Sequence, residues 1–293
     1  MGARYNEDVR SLVAAVVVWV VGGCAPVTPG PAPLVPIPDV AAAADPVHSG
    51  QVAALRVAAK HTLRALVDAL DADRRAKLAG IALAFDGAAG DVNAYATCAQ
   101  SGLPMIAVSD GLLEIARQLA IAKATDDTYG TDRVRSYTHW IAKHPGKVPP
   151  ADHVYGADRR TLALARVLFV EELAYVLGHE LGHHYLGHLG CVDGGGVVEE
   201  AVRVAAESVP IFSQVAELAA DASGVANTLE VGRATGWTEA GAVLVLQFFR
   251  SQETWQEVAF AFAQTHPLLE VRLPTVTATA DLWRMGQFVA TPR

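Results

Sequence analysis

From Leu162 to Leu181 the chain keeps apolar residues at three- and four-residue spacing without a proline, and the run passes into ten residues, HELGHHYLGH, at His179 to His188. Such spacing predicts one long helix, and a fold containing it must be built around it. His179 and His183 lie four positions apart, so a helix places them on one face, where two imidazole nitrogens can serve a single metal ion. Glu180 lies about 100° round from His179. That is too far for the same coordination corner but well placed to take a proton from water at the metal. Gly178 and Gly182 each weaken a helix by about 1 kcal/mol against alanine. Two of them beside the two histidines point to close approach by another backbone. The plain alternative is a pair of surface histidines on an amphipathic helix.

A catalytic zinc takes three protein ligands and keeps one position open. Glu217, which begins the segment ELAAD, is the best third donor, and Asp221 shares its helix face four positions on. One carboxylate can bind zinc while the other accepts the spare N–H of a ligand histidine and fixes its tautomer. Solvated helix-face carboxylates are the competing reading, which the small apolar Ala219, Ala220 and Ala222 argue against. His184 and His188 lie about 140° and 180° round from His179 on an ideal helix and read as structural. Glu172 lies nearly on the face of His179, either as a partner behind the ligands or as core-edge packing. Glu199 and Glu200, after Gly194 to Gly196, read as first-turn residues of another helix.

The chain begins with Arg4 and Arg10, the apolar run Leu12 to Val21 and then Gly22-Gly23-Cys24. This order predicts a signal peptide over 1–23 with lipidation of Cys24, simple secretion being the alternative. Six prolines between Pro26 and Pro38 predict an extended tether over 24–50. The folded domain is then expected over 51–293, and the 52% apolar content of the whole chain favours helices packed on helices. The formal net charge of −8 argues against a nucleic-acid partner. Besides Cys24 there are only Cys98 and Cys191, which in an oxidising compartment read as a disulfide, with two buried free thiols as the alternative. Pro104 to Ser109 reads as a strand whose first proline suits an edge. Met105, Ile106, Ala107 and Val108 on it can then hold an extended peptide by main-chain pairing across the metal.

Several separated pieces together resemble the zinc metallopeptidases typified by the heat-shock protease HtpX and the CAAX prenyl protease, including their periplasmic lipoprotein relatives. These pieces are Asn93-Ala94-Tyr95, Leu103 to Ser109, Gly111 to Glu114, Glu172-Leu173-Ala174 leading into HELGH, ELAAD, and His266-Pro267 with Arg272 beyond. The resemblance covers roughly residues 50 to 280. It implies a mainly α fold with a small β-sheet (α+β, zincin-like), with HExxH on a central helix and the third ligand on a following helix. It assigns one zinc per chain to His179, His183 and Glu217, support to Asp221 and Arg272, and a transition-state role beside the zinc to His266. One departure stands out: 65 positions separate Glu114 from His179, which reads as an insertion over about 118–160. Within it Thr125 to Arg160 is expected to be irregular, with one short helix around Val134 to Lys143.

The expected activity is zinc-dependent endoproteolysis of misfolded or misassembled cell-envelope proteins, with Glu180 as general base. The expected location is the bacterial periplasm, held by a lipid anchor at the outer membrane. A non-proteolytic zinc-containing chaperone or scaffold, or a peptidase restricted to short peptides, are the alternatives.

Overall fold

Helix α6, Leu162–Tyr185, is buried on nearly every side over its second half, so the other elements are best placed by how they cover it. The computed structural model describes residues 45–87, 92–99, 101–144, 155–189, 191, 210–253 and 269–286. In chain order these hold α1 Pro46–Ser49, α2 Val52–Ala69, α3 Ala72–Lys77, β1 Ala82–Asp86, β2 Ala94–Cys98 and β3 Pro104–Ser109. After them come α4 Asp110–Tyr129, α5 Arg133–Lys143, α6, α7 Pro210–Thr235, α8 Ala240–Glu253 and α9 Leu269–Arg284. Helices α2, α4, α7 and α8 pack around α6, giving the mostly helical architecture with a small sheet that the sequence implies. Among the described residues no helix is long and apolar enough to cross a membrane.

The sheet has the order β1-β3-β2, with β1 parallel and β2 antiparallel to β3. The edge assignment for Met105 to Val108 is therefore corrected. Met105 pairs with Ala82 on one side and Thr97 on the other, and Val108 pairs with Phe85 and Ala94. Pro104 is tolerated because it is the first residue of its strand, the other position where a missing N–H does no harm. Ile106, Ala107 and Val108 are buried. Ser109 ends β3 and caps α4, its Oγ accepting the N–H of Leu112 at 3.2 Å and of Asn93 at 2.9 Å.

The expected irregular stretch from Thr125 is also corrected. Helix α4 runs on to Tyr129, supported by a Lys123–Asp127 pair four positions apart and ended by Gly130 at φ 67°. Asp126 then takes the N–H groups of Arg133 at 2.7 Å and Val134 at 2.9 Å, capping α5 and closing a tight corner. The short helix expected around Val134 to Lys143 is α5; residues 145–154 lie outside the described part. The packed body extends ahead of Gln51 to Asp45, whose carboxylate accepts the Val47 N–H and pairs with Arg166 of α6. Val47 is buried beneath it.

Candidate metal centre

The glycines of α6 let α7 come close enough to deliver a third donor. A Cβ placed on Gly178 would lie 3.1 Å from Gly224 Cα, one on Gly182 3.1 Å from Ala220 Cα, and one on Gly224 only 2.7 Å from the His179 nitrogen. The two backbones are thus in contact, and side chains cannot be added between them without movement. This crossing sets Glu217 and Asp221, one turn apart on α7, opposite His179.

Three donor side chains meet there. His179 Nε2 and His183 Nε2 are 3.1 Å apart, and the Glu217 carboxylate faces both, Oε2 at 3.2 Å from His179 and Oε1 at 3.2 Å from His183. Zinc bound tetrahedrally at about 2.0–2.1 Å separates neighbouring ligand atoms by about 3.3 Å, so the two imidazole nitrogens stand at the spacing of such a site with a carboxylate oxygen in reach of each. The donors are two imidazoles and a carboxylate, a set zinc accepts readily. Burial disfavours the charged His179 ring, but the Glu217 and Asp221 carboxylates together outweigh it and raise the ring to about 9. The cluster demands positive charge, which a metal supplies in place of a proton.

Behind the triangle stands a dry polar network. Asp221, 0% exposed, accepts His179 Nδ1–H at 2.8 Å and the Tyr175 hydroxyl at 2.7 Å. Arg272 on α9, also 0% exposed, donates to both Asp221 oxygens, Nε at 2.8 Å and Nη2 at 2.7 Å. Burial by itself would raise the Asp221 carboxyl, but the Arg272 guanidinium and the His179 ring hold it well below the usual carboxylate range. Asp221 therefore stays charged, which fixes the proton of His179 on Nδ1 and turns Nε2 toward the donor triangle. Tyr175 was not among the sequence candidates. Its position four residues before His179 on the same helix face was the available signal.

Glu180 is wholly buried on α6 beside His179 and is not part of the donor triangle. His184 Nε2 lies 3.0 Å from the Met105 carbonyl, a structural link from α6 to β3 that also occupies a backbone group once expected to meet substrate. His188, expected to be structural, lies outside the donor group and meets the second ring nitrogen of His183. It reaches that ring because α6 ends at Tyr185 and His188 is not helical. Cys98 and Cys191 form a disulfide with their Cα atoms 5.6 Å apart, tying the end of β2 to the segment beyond α6. His266, Cys24, Glu199 and Glu200 lie outside the described residues.

Glu172 does not reach the ligands. It is 0% exposed, faces a small cavity lined by apolar side chains that include Val108, Leu113, Leu173, Val176, Val245 and Phe249, and among the described residues neither of its oxygens has a hydrogen-bond partner. Its neighbour Glu171, by contrast, accepts from the N–H and hydroxyl of Thr238. Burial, with the Glu171 charge adding to it, pushes the Glu172 carboxyl well above the usual range. A carboxyl raised in the folded state contributes its full stability below the unfolded value, about 4.3. That contribution is lost as pH rises toward and through the folded value, at up to about 1.4 kcal/mol per pH unit. Glu172→Gln is therefore expected to match wild type near pH 4 and to exceed it by roughly 1–3 kcal/mol at pH 8. Urea denaturation at the two pH values checks this, and a difference that does not grow with pH would contradict it.

A model of peptidase family M48 matches residues 60–280 of the chain. Neither the curated proteins nor the solved structures offer a match.

Proposed function

Because the chain belongs to peptidase family M48, we propose that it is a zinc metalloendopeptidase acting on misfolded or misassembled proteins of the cell envelope. The observation that carries this reading is the triangle of His179, His183 and Glu217 with Glu180 beside it on α6. The donor geometry fits zinc, which when bound there supplies Lewis-acid chemistry, acidifying water and polarising a carbonyl. Glu180 takes a proton from the attacking water and returns it to the departing amine. Asp221, Arg272 and Tyr175 keep the His179 ring in place throughout. His266 is proposed to steady the developing oxyanion.

The signal-like start and the proline-rich stretch support a lipid anchor on Cys24 and a place in the periplasm at the outer membrane. The peptide partner would pair by its main chain with β2, the outer strand beside α6, since β3 is closed on both edges. Such pairing needs several residues on each side of the cleaved bond, so long substrates should be favoured. One observation supports the narrower alternative of a peptidase for short peptides: His179 and Glu180 are 0% and Glu217 5% exposed, which restricts access.

Cleavage of casein and of peptides of decreasing length, measured with and without a zinc chelator, tests the reading. Chelator-sensitive cleavage of casein, with KM rising as peptides shorten, is expected. Cleavage confined to the shortest peptides selects the narrower alternative. Bound zinc without cleavage of any substrate would leave a chaperone or scaffold.

A further inference from the structure

We propose that His188 is a positioning residue that holds the metal ligand His183 by the ring nitrogen facing away from the metal; the proposal rests on the zinc reading above. The structure reaches this arrangement through the way α6 ends. Leu186 follows the last helical residue, and Gly187 takes φ 82°, a left-handed conformation that favours glycine. The Gly187 N–H then bonds the His184 carbonyl at 3.0 Å and the His188 N–H bonds the His183 carbonyl at 3.0 Å. These two closures form a Schellman ending, in which the residue after the left-handed position folds back over the last turn. The two residues brought together in this way are His188 and His183.

Their side chains complete the contact. His183 Nδ1 lies 2.9 Å from His188 Nδ1, with ring centroids 5.1 Å apart and planes at 67°. His183 Nε2 faces His179 and Glu217. The two nitrogens of His183 are thus divided between the donor triangle and His188. With its proton on Nδ1, His183 donates to the Nδ1 lone pair of His188, whose own proton is carried on Nε2, and its Nε2 lone pair is left for the metal. The two ligand histidines are therefore supported unequally. His179 is held by a buried carboxylate that is itself paired with Arg272, whereas His183 is held by an exposed ring on the helix ending. No sequence spacing displays this, because the contact depends on the helix stopping before Gly187.

The test uses the full chain with zinc as the probe. H188A should bind zinc about 10–100-fold more weakly in competition with a chromophoric chelator. It should also lose kcat with little change in KM, and keep the melting temperature of the metal-free protein. H188N, which restores a side-chain acceptor, should recover part of the affinity. Zinc affinity equal to wild type in H188A overturns the positioning role and leaves the peptidase reading standing. So does a fall in metal-free melting temperature that accounts for the loss, since His188 would then serve only to end α6. A wild-type protein that binds no zinc overturns both.

Discussion

Glu180→Gln is expected to bind zinc as the wild type does and to cleave substrate roughly 10²–10⁴-fold more slowly. Glutamine keeps the size of the side chain in a position that is 0% exposed, so the packing of α6 around it need not change. What it loses is the ability to take a proton from water and pass it on. Because Glu180 stands outside the donor triangle, metal content should be unaffected, whereas Glu217→Ala removes a ligand and should lower metal content directly. Zinc stoichiometry and kcat measured on the same preparations separate the two roles. A Glu180→Gln protein that turns over substrate at the wild-type rate would remove Glu180 from the chemistry.

The second large effect is on stability. Arg272 and Asp221 are both fully buried and joined by two hydrogen bonds, and Arg272 Nη1 also stands 3.8 Å from Glu217. Arg272→Met keeps much of the volume but leaves Asp221 charged in a dry interior, which is expected to destabilise the protein by about 3–5 kcal/mol. Adding Asp221→Asn removes the orphaned charge and should restore a good part of the stability. It should not restore activity, because the carboxylate that orients His179 is gone. Denaturant titrations of the two single variants and the double variant complete the cycle, and additive losses would show that the pair is not coupled.

Much of this centre was legible in the chain because its parts are local. The apolar period from Leu162, the four-residue step from His179 to His183 and the same step from Glu217 to Asp221 are helical facts that need no tertiary information. Gly178 and Gly182 announced a close neighbour, and that neighbour is α7. What escaped was set by pairing or by endings. Pro104 marks an edge and a strand's first residue equally well, and only the order of three strands decides between them. The stretch after Thr125 looked irregular by composition, yet Asp126 turns two helices into a corner by capping the second of them. Glu172 lies almost in line with His179, but the alignment carries it into an apolar cavity two turns before that histidine on α6.

The contact between α6 and α7 ties metal occupancy to the stability of the whole domain. Two donors sit on one helix and the third on the other, so an ion held by all three also clasps the helices at their point of nearest approach. Any free energy of binding that depends on their alignment is shared with the fold. Thermal resistance would thereby become a readout of loading, and stripping the ion would loosen the seam on which Glu180 is mounted.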